Sequence, residues 1–288
     1  MGNEIKNIAV IINMDKPAAR KVFESIEIES KRYGYNIFLQ KKEAKLLNRD
    51  KIGLSDRKLV KKVDLAIAVG GDGTFINASY LFSQKEIPIV GIHIGGLGFL
   101  TEFKANEVSI LFKQLSNKNY VIEERVMVEG EVLKDSKTIR KVVALNEIVV
   151  HKGEWTRILK FKAYINNQYI GTFSGDGVLI STPTGSTGYS LSINGPIVIP
   201  SLNLFIFNVI APHNLSVRPV IVPSDSVINI KFEPVETELV LSADGIKIMN
   251  ISSLCTVKVT KAVKKINLIR SKNRNFFDIL REKFEWVK

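Results

Sequence analysis

The sequence predicts an α/β plus β-rich protein: an N-terminal Rossmann-like α/β domain, a C-terminal β-sandwich-like domain, and a last helix that returns to the first domain. Three observations predict it. Up to about Tyr120, short apolar runs alternate with helically spaced segments, the pattern of a parallel sheet with crossovers. From "VIEERVMVEGEVL" onward, period-two runs separated by turn residues dominate. The tail "NFFDILREKFEW" then spaces Phe276, Phe277, Leu280 and Phe284 along one helix face. The expected division is 1–122 with 263–288 for the α/β domain and 123–262 for the β-rich domain.

In chain order, "NIAVIIN" reads as a short buried strand. Residues 17–33 follow as a helix, with Pro17 in its first turn and Ala18, Val22, Ile26 and either Ile28 or Ser30 on one side. "GYNIFLQ", "DLAIAVGG" and "IPIVGIHI" are further strands; "FINASYLF" and "ANEVSILFKQLSN" are helices. In the second half, "TIRKVVALNEIVVHKG", "ILKFKAYINNQYIGTFSGDGVLIST", "LNLFIFNVIAP", "SVINIKFE", "TELVLSADGIKIM" and "SLCTVKVTKA" read as strands. "INNQ", "ADG" and "EPVE" mark turns.

Composition narrows the function. A chain of 288 residues with ordinary apolar content can bury a sizeable core. The net charge of +12 suits an anionic partner, but Lys, Ile and Asn are all abundant, and compositional drift is the favoured reading. No dense basic block is interleaved with aromatics, which argues against nucleic acid. The single Cys255 excludes an intrachain disulfide and a thiolate zinc site, and His93, His151 and His213 lack metal-ligand spacing. There is no membrane span of about 20 apolar residues, the N-terminus lacks a signal-peptide pattern, and Lys6 disfavours myristoylation at Gly2. The expectation is a soluble, reduced, cytoplasmic protein.

Four stretches could carry chemistry. "GGDGT" (Gly70–Thr74) follows a buried strand and opens a helix, where free amides and the helix dipole favour phosphate. It matches neither the dinucleotide G-x-G-x-x-G, since position 76 is Ile, nor a phosphate-binding P-loop. Asp72 is an acid set among the glycines, readable either as a helix cap or as a chemical group. "GGLGFL" (Gly95–Leu100) is a second glycine cluster, suited to close ligand approach or to a plain turn. "LNEIVVH" puts Asn146 and Glu147 side by side, suited to a base edge and ribose hydroxyls or to a solvated strand end. "SGDGVLISTPTGSTGYSLSINGP" (Ser174–Pro196) is the densest stretch. Five of the seven residues Ser181–Thr187 bear hydroxyls, a neutral polar surface for ribose and phosphate oxygens.

Together these stretches resemble the NAD kinase family. "GGDGT" at 70–74, "NE" at 146–147, "DGVLISTPTGSTGYSLSINGP" at 176–196 and "PHNLSVRP" at 212–219 occur in that family's order and spacing. "GGDGT" alone is shared with lipid kinases and phosphofructokinases; the long Thr/Ser/Gly stretch separates them. The resemblance implies transfer of the terminal phosphate of ATP to the 2′-hydroxyl of the adenosine ribose of NAD, giving NADP. It implies a divalent cation, Mg²⁺, carried with ATP, and a homodimer or homotetramer. Residue by residue, it implies Asp72 as general base and Gly73 against the substrate. Asn146 and Glu147 would contact the nucleotide. Arg157, Ser174 and Asp176 would lie near the second nucleotide, and Thr187, Gly188, Tyr189, Ser190, Leu191 and Ser192 would form the adenine-side loop. No dedicated metal site, nucleic acid or membrane is expected. The chain departs from the family pattern at Gly188, where Ala is usual, at Asn77, where a basic residue is common, and at Ile246, where Gln is common.

Overall fold

The computed structural model describes residues 5–154, 157–236 and 238–286. They divide into two units, bounded Met1–Glu124 with Ile266–Lys288 and Arg125–Lys265.

Unit one contains β1 (Asn7–Ile12), α1 (Ala19–Tyr33), β2 (Asn36–Gln40), α2 (Lys41–Leu46), β3 (Gly53–Leu54), α3 (Asp56–Lys62), β4 (Leu65–Gly70), α4 (Asp72–Phe82), β5 (Ile89–His93), β6 (Phe103–Lys104) and α5 (Val108–Ser116). The strands run parallel in the order β3-β2-β1-β4-β5, and β6 extends from β5. A parallel sheet is covered on both faces, so its strands are apolar throughout rather than alternating. β4, "LAIAVG", is accordingly buried along its whole length. On one face α1 and α5 pack Val22, Phe23, Ile26, Leu111 and Phe112 against Ile8, Val10, Ile67, Val69 and Ile92.

α1 differs from its sequence reading at its start and settles an alternative on its inner face. Pro17 lies in the turn before the helix, not in its first turn. Of the two alternatives on the inner face, Ser30 is buried, while Ile28 is 65% exposed. The helices α2 and α3 were not legible, being six and seven residues long, too short to display a period. The strand order reverses between β1 and β4, the position at which open α/β sheets bind ligands beyond their C-terminal strand ends. "GGDGT" follows β4 at that end.

Unit two is built from β7 (Tyr120–Lys134), which enters from unit one, β8 (Lys137–Ala144), β9 (Glu147–His151), β10 (Leu159–Ile165), β11 (Gln168–Gly175), β12 (Gly177–Ser181), α6 (Tyr189–Ser192), β13 (Leu204–Ile210), β14 (Val220–Pro223), β15 (Ile228–Phe232), β16 (Leu239–Ala243), β17 (Ile246–Ile251) and the first part of β18 (Thr256–Ser271). One antiparallel sheet runs β14-β13-β12-β9-β16-β17. The other side is formed by β11-β10-β15-β18 with the β7–β8 pair. Alternate residues of both meet in one core: Phe161, Ile230 and Val257 from one side, Ile148, Ile180, Phe207 and Leu241 from the other. That is the period-two alternation of a sandwich.

Asn166 and Asn167 both adopt left-handed backbone at the β10–β11 turn, as do Asp244 and Gly245 at the β16–β17 turn, as two-residue hairpin turns require. The run "TIRKVVALNEIVVHKG", read as one strand, is two: β8 and β9 are separated by a bend at Leu145–Asn146.

After β18, α7 (Phe276–Phe284) belongs to unit one. Asn275 and Asp278 cap it reciprocally, each side chain accepting the other's backbone N–H. Among the described residues, no helix is long and apolar enough to cross a membrane. Gly2 lies outside the described residues.

Unit one also buries an ion pair. Arg270 Nε lies 2.7 Å from Glu102 Oε2, with side chains 5% and 1% exposed. Ser271 N–H donates to Glu102 at 3.1 Å. Burial pushes the Glu102 carboxyl above its usual range even against Arg270. The pair is thus held by geometry that an unpaired partner could not replace. Arg270→Ala leaves a buried carboxylate and is expected to cost about 3–5 kcal/mol in urea denaturation. A loss under about 1 kcal/mol would show that water re-solvates Glu102.

Candidate active site

In unit one, the chemistry collects at the end of β4. Gly71 is the N-cap of α4, and its carbonyl accepts the N–H groups of Thr74 and Phe75. The helix therefore starts at Asp72, three residues before the "FINASYLF" segment. Asp72 is its first residue and not its cap. The carboxylate turns away from its own helix to the "GGLGFL" loop: Phe99 N–H donates to one oxygen at 2.9 Å and Leu100 N–H to the other at 3.0 Å.

That close approach explains a glycine. A Cβ at Gly98 would stand 2.0 Å from Asp72 Oδ1, so the loop can wrap the carboxylate only without a side chain there. Gly73, by contrast, faces open space, leaving the backbone at the helix N-terminus accessible to a ligand. Asn77 is exposed one turn further along the same face.

The loop is held from behind. Lys283 of α7 donates to the Leu97 carbonyl, and the Phe284 ring lies 5.8 Å from Phe99. His93 Nδ1 donates to the Gly95 carbonyl at 3.1 Å, and burial pushes this imidazole down from its usual range.

In unit two, Asn146 and Glu147 lie at the bend before β9 and at its first residue. Asp244, in the β16–β17 turn, receives three successive N–H groups from this bend: Leu145 at 2.8 Å, Asn146 at 2.7 Å and Glu147 at 3.0 Å. Glu147 is 4% exposed. Burial, then the nearby charge of Asp244, push its carboxyl up to about 8. Glu147 Oε2 and Asn146 Oδ1 are buried without a partner among the described residues, polar atoms of the kind a ligand completes.

The hydroxyl-rich stretch frames these two side chains. Thr182 Oγ1 donates to Leu145 O at 2.6 Å, and Ser181 Oγ donates to Asn146 O at 3.2 Å. Ser186 is tied to Val198, and Thr187 Oγ1 donates to Thr184 O at 3.3 Å. The hydroxyls of Ser181, Thr182 and Ser186 are buried and build the loop instead of facing solvent. Gly185 is required by close approach, since a Cβ would lie 2.2 Å from Asn146 O. At Gly188 a Cβ would lie 3.5 Å from Glu147 Oε2 and 3.7 Å from Asn146 Nδ2, with 3.3 Å to the Gly185 carbonyl. The absent methyl therefore widens the space beside the unpartnered Glu147 Oε2 and the Asn146 side-chain amide.

Tyr189 is 44% exposed. Burial, then the charges of Asp176 and Glu147, push its phenol up, which sets all three in one electrostatic neighbourhood. Asp176 is half exposed and pairs with Lys152 at 2.7 Å. Ser190 is buried, and its hydroxyl receives Asn208 Nδ2 at 3.0 Å. Leu191 is half-buried and Ser192 exposed. Ser174 is half-buried in β11, and its carbonyl accepts from His213 N–H at 2.9 Å.

Arg157 is exposed beside residues outside the described set, and no described hydrogen bond joins it to the others. The sequence reading took Asp244 as part of the "ADG" turn beside Ile246, which is half exposed at the start of β17. The signal for Asp244 was there: an acid in a two-residue hairpin turn is free to cap a neighbouring segment.

Two family models cover most of the chain: the ATP-NAD kinase N-terminal domain matches residues 6–120, and the ATP-NAD kinase C-terminal domain residues 145–271. The NAD kinase of Thermoanaerobacter sp. (strain X514) is 37% identical over 279 residues, covering 97% of this chain and 99% of the relative. That of Buchnera aphidicola subsp. Baizongia pistaciae is 38% identical over 260 residues, covering 88% of each. Among solved structures, yeast NADH kinase complexed with NADH superposes with a TM-score of 0.89 at 25% identity, covering 99% of this chain and 88% of that one. An NAD kinase from Archaeoglobus fulgidus in complex with ATP shares the fold, with a TM-score of 0.72 at 22% identity, covering 96% and 98%. With both halves matched in order by one family's models, and relatives above 30% identity along nearly the whole length, the chain belongs to the ATP-NAD kinase family.

Proposed function

We propose that this kinase phosphorylates NAD to NADP with Asp72 as the general base. In the step, the ribose 2′-oxygen forms a bond to the γ-phosphorus of ATP as the bond to the β,γ-bridging oxygen breaks. ADP leaves with that electron pair, and the 2′-hydroxyl proton passes to the Asp72 carboxylate. A ribose hydroxyl is a weak nucleophile at neutral pH, and proton removal during attack contributes roughly 10²–10⁴-fold. The rest of phosphoryl transfer is positioning and charge stabilisation.

The observation that carries the assignment is the fixed carboxylate. The Phe99 and Leu100 amides orient Asp72 at the N-terminus of α4, beside the open backbone of Gly73. The amides at that helix end suit phosphate oxygens. A divalent cation, Mg²⁺, would neutralise phosphate charge. In this reading the cation is carried in on ATP.

Asn146 and Glu147 are assigned to the nucleotide. The protonated Glu147 carboxyl offers both a donor and an acceptor, and Asn146 an amide. Thr187, Gly188, Tyr189, Ser190, Leu191 and Ser192 border them in the same reading, with Arg157, Ser174 and Asp176 toward the second nucleotide. A homodimer or homotetramer and a cytoplasmic location belong to it as well.

Asp72→Asn is expected to lower kcat for NADP formation by roughly 10²–10⁴-fold while the KM for NAD stays within a few-fold. Near-normal turnover in that variant would remove Asp72 as the base. Gly98→Ala forces a methyl into the carboxylate and should lower kcat on the order of 10²-fold in a chain that still folds by circular dichroism. Unchanged kcat would mean that the 97–100 loop does not orient Asp72.

The Glu147 carboxyl, raised from its ordinary value to about 8, gives a stability signature. The native state holds a proton that the unfolded chain releases near 4.5, so stability falls as pH rises from about 4.5 to about 8 and then levels. Glu147→Gln removes this loss. Its melting temperature should match the parent near pH 4.5 and exceed it at pH 8.5; parallel melting curves across that range would contradict the buried proton.

A further inference from the structure

The bend that carries Asn146 and Glu147 has every backbone polar group engaged. Asp244 takes the N–H groups of Leu145, Asn146 and Glu147. Thr182 Oγ1 takes up the carbonyl of Leu145, and Thr182 N–H and Ser181 Oγ that of Asn146. The carbonyl of Glu147 accepts Asp244 N–H at 3.1 Å. The unpartnered buried atoms here are Asn146 Oδ1 and Glu147 Oε2.

Three of these six backbone groups meet a single carboxylate. Asp244 Oδ1 accepts from Asn146 and Glu147, and Oδ2 accepts from Leu145. Asp244 can reach them because it sits in left-handed backbone, φ 47°, before Gly245 at φ 75°.

We propose that Asp244 is a positioning residue for nucleotide recognition: by clamping the 145–147 amides, it sets the direction in which Asn146 and Glu147 present their side chains to NAD. This inference rests on the assignment of Asn146 and Glu147 to the nucleotide. Asp244 has a second effect through charge. Among the described residues, the titratable groups facing Glu147 are Asp244 from the β16–β17 turn and Tyr189 from α6, with Asp176 acting on the same Tyr189. β12 brings Ser181 opposite Glu147, and the 182–188 segment brings no titratable side chain. Tyr189 is neutral, its phenol pushed up. Asp244 therefore adds to burial in favouring the protonated Glu147, so the residue that aims the carboxyl also biases it toward donating.

A merely structural residue would alter stability and amount of folded protein, not the pH at which NAD binding changes. Asp244→Asn keeps an oxygen for Asn146 and Glu147, faces Leu145 N–H with an amide, and removes the charge. In the full chain its KM for NAD should rise about tenfold, as for one buried hydrogen bond lost, with kcat changed under about threefold. The pH at which that KM changes should move to lower values than in the parent. Glu147→Gln should make KM insensitive to pH across the same range, and the double variant should keep the rise in KM without any pH shift.

If Asp244→Asn does not fold, Gly245→Ala tests the same clamp. No atom lies within 4 Å of the new methyl, so the strain is confined to the left-handed turn, and KM for NAD should rise on a folded chain. A parental KM and pH profile in the folded Asp244→Asn variant, or in Gly245→Ala where the former does not fold, overturns the inference. If Asn146→Ala and Glu147→Gln also leave KM unchanged, the nucleotide assignment itself falls; if those two raise it, that assignment stands and only the role of Asp244 is lost.

Discussion

Irregular backbone cannot be left unpaired where it is partly buried, and in this protein aspartates pair it. A carboxylate has several acceptor sites and no donor, so it can hold successive N–H groups where neither helix nor sheet supplies carbonyls. Asp72 does this for the loop at 99–100 and Asp244 for the bend at 145–147. Both segments lie in connections between strands, where regular hydrogen bonding stops.

The two cases differ in what remains. Asp72 lies in the first turn of α4, beside the open backbone of Gly73, and is itself the reactive group in the proposed step. Asp244 acts on a neighbour: its charge and its clamp are both felt at Glu147. Burying one carboxyl next to another is unfavourable when both are charged. Burial and then the Asp244 charge push the Glu147 carboxyl up, which favours a proton on the more deeply buried group and with it a hydrogen-bond donor.

Glycines mark the same places. Those at 98 and 185 are required by contact with Asp72 and with the Asn146 carbonyl, whereas those at 73 and 188 leave space. The chain's departure from the family at Gly188 thus has a local meaning: room over Glu147 and Asn146, where a methyl would otherwise make ordinary contact.

Much of this was legible in the residues alone. Strands alternating with helically spaced segments, against period-two runs joined by turns, separated the parallel sheet from the sandwich, although β9, β12 and β13 are buried along nearly their whole length. The motif order 70–74, 146–147 and 176–196 identified the family and named Asp72, Asn146, Glu147 and the 187–192 loop. Local spacing could not reveal α2 and α3, the break between β8 and β9, or the inner face of α1 beyond Ile26. Those depend on which neighbours cover a short segment. Nor could it show that the hydroxyls of Ser181, Thr182 and Ser186 are taken up inside their own loop, or that Asp244 reaches across about a hundred residues to the Asn146–Glu147 bend. Periodicity and motifs are properties of adjacent residues. The pairing of a carboxylate with distant amides, and the burial that pushes the Glu147 carboxyl up, exist only once tertiary structure has removed the water that would otherwise satisfy both.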